Sequence, residues 1–276
     1  MAVLLFWNVR GSEVAEPVAI LCRQYGVDVL MLAEQGANTA QMLRRLNTGE
    51  GAPYWELRSP VKSQIRFWTR YPVTSITPVF DDGRVSIRHL RAPVGAPMLI
   101  AAVHMPSKLH MDDQDQYYRM RRLRGDIEEA EGRVDHRNTV IIGDLNANPF
   151  EDAVVAADGL HGVMDKRIAE RPPRAVQGRD WRFFYNPMWS RMGDESKGPP
   201  GTYYYARGGL VSYFWNTFDQ VLLRPEMLRY YAEDSVTVVS NIGGKELLPA
   251  SQAAQDVPDH LPVLVRLSIE MEQNDG

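Results

Sequence analysis

The sequence predicts an α/β fold, and three observations carry that reading. Short apolar runs suited to buried strands alternate with helix-spaced segments from the first residues onward. At the centre of the chain, Val140-Ile141-Ile142 leads into Gly143 and then into a carboxylate and a carboxamide, Asp144 and Asn146. Two further strand-like runs, 217–223 and 261–267, close the pattern, the first carrying Asp219 and the second following Asp259.

In chain order, residues 2–7 are strongly apolar, as expected for a strand buried on both faces. They lack a basic leader and a cleavage signature, so they read as a strand, not a signal peptide. Gly11-Ser12 breaks the chain, and Val14, Val18, Leu21 and Cys22 then recur at helical spacing over 14–25. Pro17 is tolerated in a first helical turn. A second strand over 27–34 ends on Glu34, and 38–46 is helical again. Shorter strands are expected at 54–58, 64–69 and 73–80, with Asp81-Asp82-Gly83-Arg84 as a hairpin connection. Residues 85–91 and 97–104 form an antiparallel pair, followed by a polar loop and a helix over 116–131. The aromatic-rich segment 162–217 gives no clear period; 202–205 and 211–215 are its candidate strands. With no repeat and no low-complexity linker, one domain over 1–276 is expected.

Composition narrows the class. At 276 residues, with 44% hydrophobic and 24% charged, the chain can bury a substantial core. No run reaches the length of a membrane span. The lone cysteine, Cys22, excludes an internal disulfide and a cysteine-rich zinc site, which agrees with a cytoplasmic location. A net charge of −4 makes no global electrostatic case for nucleic acid. Arg119, Arg121, Arg122 and Arg124 crowd one segment, but Asp126, Glu128, Glu129 and Glu131 follow, so a solvated helix face is expected.

The chemistry lies in polar residues at strand ends. Asn8 follows the first strand, Glu34 ends the second, and His104 ends the run at 97–104. Asp144 and Asn146 follow the central strand, Asp219 lies early in a later one, and Asp259-His260 precedes the last. Each alone has an ordinary reading, as a turn residue, a capping acid or a satisfied core histidine. A sheet gathers strand ends along one edge, so together they can converge. Asp144 and Asn146, two residues apart, would face one way in extended backbone and could hold a water beside a hard cation.

At this point the sequence resembles the endonuclease/exonuclease/phosphatase superfamily of DNase I-like metal-dependent phosphohydrolases. The matching motifs are Phe6-Trp7-Asn8-Val9, Val29-Leu30-Met31-Leu32-Ala33-Glu34, Val103-His104-Met105-Pro106-Ser107-Lys108, Gly143-Asp144-Leu145-Asn146, Phe218-Asp219-Gln220-Val221-Leu222 and Pro258-Asp259-His260-Leu261-Pro262-Val263. They occur in the family's order. The resemblance implies a four-layer α/β sandwich, two packed and mostly antiparallel sheets with helices outside. It implies Mg²⁺, with Mn²⁺ as a substitute, held by Glu34 beside Asn8 with help from Asp259. Asp144 and Asn146 would position water and phosphate. His260, oriented by Asp219, would be a general base or a phosphate contact, and His104 an acid or a phosphate ligand. Secreted nucleases of this type give the histidine corresponding to His104 an acidic partner, whereas residues 61–68 offer Ser63 and Gln64. Gln220 likewise stands where an aromatic residue or histidine is common.

The resulting expectation is a Mg²⁺-dependent phosphodiesterase on nucleic acid, an endonuclease. The runner-up is a phosphatase or phosphodiesterase for a phospholipid headgroup, inositol phosphate or nucleotide. A binding module without catalysis has no use for Glu34, Asp144, Asn146, Asp259 and His260 together. For substrate contacts, Arg84, Arg88 and Arg91 on the strand pair are candidates, with Arg88 and Arg91 foremost, although a structural surface role is the ordinary reading for at least two of the three. The stretch from Trp181 to Trp215 is expected to form a wall of the cleft, with its aromatics, Trp189 foremost, and Arg182, Arg191 and Arg207 governing binding.

Overall fold

A computed structural model describes residues 1–36, 38–49, 51–91, 95–108, 112–206, 210–247 and 258–269. Strands β1 (Ala2–Asn8), β2 (Val29–Ala33), β3 (Trp55–Leu57) and β4 (Ile65–Thr69) belong to one sheet. It also takes Val236–Val238 and Val263–Leu267, in the order 236–238, 263–267, β1, β2, β4, β3. Strands β5 (Ile76–Asp81), β6 (Val85–Leu90), β7 (Met98–His104) and β8 (Thr139–Asp144) begin a seven-stranded second sheet. Asp219–Leu223, Phe184–Tyr185 and Gly162–Val163 complete it beyond β8. Helices α1 (Ala15–Tyr25) and α2 (Thr39–Leu46) lie on the first sheet, and α3 (Asp113–Val134) on the second.

Side-chain alternation decides the layering, because successive residues of a strand face opposite ways. Along β1, Leu4 and Phe6 join Met31, Ile100, Ile142 and Val221 in the core between the sheets. Val3, Leu5 and Trp7 instead meet Val18, Leu21 and Cys22 of α1. On the second sheet, Leu99, Ala101 and Ile141 turn outward onto Met120, Leu123 and Ile127 of α3. The result is the four-layer sandwich expected. Strands buried on both faces explain why the runs at 2–7 and 139–142 read as continuously apolar. The two sheets are mostly antiparallel; β1 with β2, β7 with β8, and 162–163 with 184–185 pair in parallel. Among the described residues no helix is long and apolar enough to cross a membrane.

Helix ends follow local chemistry. Gly26 closes α1 in the left-handed conformation, its N–H bonded to the Cys22 carbonyl. Asn38 and Asp112 cap α2 and α3 by accepting from the N–H groups of Ala40 and Asp115. Capping at Asp112 starts α3 earlier than its apolar spacing indicated. The last expected strand pieces are shorter than read. Thr217 donates its N–H to the Asn148 side chain, which takes it out of the ladder, and the strand starts at Asp219. Phe214 adopts φ 59, so of the run 211–215 only Trp215 enters the ladder, joined by Asn216, opposite Tyr204 and Tyr203.

The arginine-rich helix face is exposed at Arg119, Arg121, Arg122 and Glu129, as expected, but two of its charges correct the expectation. Arg124 is buried, bonded to Glu128 and to the carbonyls of Ala157, Gly159 and Arg182. Glu131 is buried too, accepting from Arg224 at 2.8 and 3.1 Å and from Thr139 at 2.9 Å. These charges fasten α3 to the sheet; they are not a solvated face. Glu131→Ala strands the Arg224 guanidinium without its counter-ion and is expected to cost about 3–5 kcal/mol of stability. Denaturant unfolding measures it, and a loss below about 1 kcal/mol, the scale of an exposed pair, refutes the pair's role.

Candidate active site

Strand direction brings the polar ends together. Asn8 pairs with Ala33 where β1 and β2 run in parallel, so Glu34 leaves β2 beside Asn8. His104 pairs with Asp144 at the ends of β7 and β8, and Asp219 pairs with Asp144 from the other side. Val263 pairs with Phe6, which places His260 at the same edge. Both sheets therefore deliver their functional side chains to one end of the sandwich.

Unusual backbone refines the aim. Glu34 has φ 53 and donates its N–H to the Gln64 carbonyl, turning its side chain out of the sheet. Asn146 has φ 48 and donates its N–H to Asp144 Oδ1 at 2.9 Å. Gly143 has φ 153, and a Cβ there would lie 2.0 Å from the Val103 carbonyl oxygen. Only glycine lets β8 approach β7 so closely next to Asp144.

The side chains form one network. Asn8 Nδ2 donates to Asp144 Oδ2 at 3.1 Å and to Glu34 Oε1 at 3.3 Å. Asn146 Nδ2 donates to the same Asp144 oxygen at 3.1 Å and to the Met105 carbonyl at 2.8 Å. His104 Nε2 is 3.1 Å from Glu34 Oε1, and its Nδ1 is 2.9 Å from Gln64 Oε1. Gln64 is thus the side-chain partner of His104 Nδ1. His260 Nδ1 is 2.7 Å from Asp219 Oδ2, and its Nε2 is 3.9 Å from Asp144 Oδ2. Asp259 pairs with Arg10 at 2.9 Å.

Electrostatics separate these groups. The hydrogen bond from His104 holds the Glu34 carboxyl below its ordinary range, outweighing partial burial. Burial pushes Asp144 up and the Asp219 charge adds to it, against the pull of His260 and His104. Burial opposes a charge on His260, but Asp219 and Asp144 prevail and raise the ring to about 10. Asp219 Oδ1 is buried without a hydrogen-bond partner among the described residues, which leaves its charge to the imidazolium.

These residues line a cleft of about 1070 Å³. Arg10, Lys62, Arg66, Arg84 and Lys108 add positive charge, and Tyr203, Tyr205, Tyr213 and Phe218 add aromatic surface. Asn8, Glu34, His104, Asp144, Asn146, Asp259 and His260 all face it, with Asp219 directly behind His260. Four substrate candidates do not. Arg88 is buried in an ion pair with Asp81 at 3.0 Å. Arg91 lies past the end of β6 that pairs with Met98, opposite the His104 edge. Trp189 packs edge-on against Phe150, and Arg191 pairs with Asp234. Arg182 gives its carbonyl to Arg124 and lies outside the cleft, and Arg207 lies outside the described residues. The expected aromatic wall exists, but Tyr203, Tyr205 and Tyr213 supply it instead of the tryptophans. Gln220 is structural: it accepts from Asn186 and donates to the carbonyls of Ala147 and Thr217.

The sequence singled out none of Arg10, Lys62 and Arg66, and it named the tyrosines only as aromatics of the Trp181–Trp215 stretch. Only Arg10, two residues beyond Asn8, sat near enough to a motif to be found.

Comparison with known proteins agrees with this geometry. A model of the endonuclease/exonuclease/phosphatase family matches residues 5–240. No curated protein matches the sequence. Among solved structures, an endonuclease/exonuclease/phosphatase family protein from Leptotrichia buccalis C-1013-b has a TM-score of 0.60 at 13% identity, over 97% of this chain and 99% of that one. The 3′ phosphatase NExo from Neisseria, bound to a product DNA hairpin, has a TM-score of 0.54 at 15% identity, over 97% and 99%. An AP endonuclease from Archaeoglobus fulgidus has a TM-score of 0.52 at 11% identity, over 98% and 100%. At such identities the likeness is one of fold.

Proposed function

Because the chain belongs to the endonuclease/exonuclease/phosphatase family, we propose that it is a divalent-metal-dependent phosphodiester hydrolase acting on nucleic acid. The observation that carries this reading is the convergence of Glu34 and Asp144 with His104 and His260 in a cleft edged by cations. Two of the similar structures, bound to a DNA product or named for AP-site cleavage, support nucleic acid as the substrate.

The donor set fits a hard divalent cation. Glu34 and Asp144 converge on the Asn8 amide, Asp259 lies in the same cleft, and the Glu34 side chain is 42% exposed to it. Mg²⁺ favours such oxygen ligands and retains water, and Mn²⁺ accepts the same set. Asp144, Asp219 and His260 also offer atoms within 4.8 Å of one another. That trio is the poorer site, since His260 and Asp219 already satisfy each other and imidazole suits softer ions. Glu34 with Asn8 and Asp259 would hold such an ion, which would supply charge that offsets repulsion between the attacking oxygen and an anionic diester.

The chain's own residues do the rest. Asp144, with its carboxyl raised, takes the proton of the attacking water, and the two Asn146 bonds set its orientation beforehand. His260, kept cationic by Asp219, presents Nε2–H to a phosphoryl oxygen and is worth most as charge accumulates there. His104, held by Gln64, fixes Glu34.

An activity screen with Mg²⁺ and Mn²⁺ over plasmid, single-stranded DNA, RNA and phosphorylated small molecules tests the proposal, with Asp144→Ala as control. Metal-dependent cleavage of nucleic acid that Asp144→Ala abolishes is expected. Full activity in excess chelator, or hydrolysis confined to small esters, refutes it.

A further inference from the structure

The cleft has two chemically different sides, and the catalytic strands lie between them. Lys62 precedes β4, and Arg84 precedes β6, so both stand on the flank beyond Glu34 and His104. The hairpin of Tyr203–Tyr204 and Trp215–Asn216 bridges His260, on the flank of the strands 219–223 and 263–267. One side is therefore cationic; the other is aromatic, and Arg10, which lines it, is paired with Asp259.

The aromatic side is arranged as faces. Tyr203 is nearly parallel to Tyr205, at 13° and 6.4 Å, and to Phe218, at 24° and 5.3 Å. Its ring also lies 4.7 Å from that of His260, so the series begins at the reacting centre. Tyr205 is 38% exposed and Tyr213 59%, and Tyr213 is braced edge-on by Phe150. Rings left this open are not filling a core.

We infer that the substrate enters as an unpaired nucleotide segment, with bases against the Tyr203–Tyr205–Tyr213 side and phosphates against the Lys62–Arg84 side. This rests on the proposed action on nucleic acid and narrows it. A duplex turns its phosphates outward on both flanks and hides its base faces, so an aromatic wall gains nothing from it. An unpaired strand offers π-faces on one side and charge on the other, as the cleft does. The hairpin tip also exposes Leu210 and Val211, an apolar pair that a lipid surface would accept. The rings facing into the cleft, opposite paired cations, favour bases.

The test compares kcat/KM of the wild-type protein in Mg²⁺ on a single-stranded oligonucleotide, the same sequence as a blunt duplex, and bis(p-nitrophenyl) phosphate. The single strand is expected to be cleaved about tenfold or more faster than the duplex. Tyr205→Ala should raise KM for the single strand more than it lowers kcat, by roughly the 5- to 150-fold that one stacked base represents. Tyr205→Phe, which keeps the ring, should restore it. Equal or faster cleavage of the duplex, or an unaltered KM in folded Tyr205→Ala, overturns the inference while nucleic-acid hydrolysis stands. Hydrolysis of the small ester with neither oligonucleotide cleaved overturns the underlying function as well. Headgroup release from phosphatidylcholine vesicles that Leu210→Ser abolishes, without oligonucleotide cleavage, assigns the hairpin to a lipid surface instead.

Discussion

Glu34→Gln is expected to abolish phosphodiester hydrolysis and leave the fold intact. The substitution preserves shape but removes the charge that His104 and Asn8 now satisfy and that a cation would neutralise. Glu34 sits at the edge of the sandwich, half in solvent, so little packing depends on it. Loss of turnover should exceed the roughly 10–100-fold typical of a residue that only orients a metal ligand. A second readout is independent of turnover. Mg²⁺ should raise the Tm of the wild-type protein, because a ligand that binds only the folded state stabilises it, and should raise that of Glu34→Gln far less. Undiminished turnover, or an identical Mg²⁺-induced shift, removes Glu34 from the metal site.

His260→Ala is expected to lower kcat by on the order of 10²–10³-fold, the range for deleting one charged donor aimed at a developing oxyanion. Asp219→Asn should cost less, roughly 10–100-fold, because the ring remains but loses the group that orients and charges it. The pH profile separates the two roles. With the His260 pKa at about 10, the cationic donor is present at neutral pH and is lost as pH rises through that value. Removing the Asp219 charge lowers this pKa, so the alkaline limb of Asp219→Asn should move to lower pH. An alkaline limb that stays in place, or an equal loss of metal affinity in Asp219→Asn and Glu34→Gln, contradicts this assignment.

Elements with strong local signals were legible from residue types. A strand buried on both faces must be continuously apolar, and β1, β2 and β8 are. Helices with a clear apolar period were found within a residue or two at α1 and α2. The strand Val236–Val238 was missed because three residues carry no periodicity, and its pairing with 263–267 is what makes it a strand. Candidate site residues were legible because Asn8, Glu34, His104, Asp144, Asp219 and His260 each lie at an end of an apolar run, and strand ends meet at sheet edges.

What composition and spacing by themselves determined, then, was the α/β class, the order of its strands in the chain and the polar groups ending them. Which charges are free to meet a substrate was decided only by the tertiary structure. Arg84 and Arg88 lie on one short segment and look alike in sequence. Arg88 lies within β6 and is buried against Asp81, whereas Arg84 lies before the strand, at the edge where it reaches the His104 carbonyl and the cleft. Arg124 and Glu131, read as solvent-facing, are enclosed because α3 lies on a sheet whose far strands bring Arg182 and Arg224 to them. The tyrosines of 203–213 reach the cleft through a bridge between Tyr203 and His260, residues far apart in the chain. Such pairings arise from contacts between distant segments, and no local pattern of residue types encodes them.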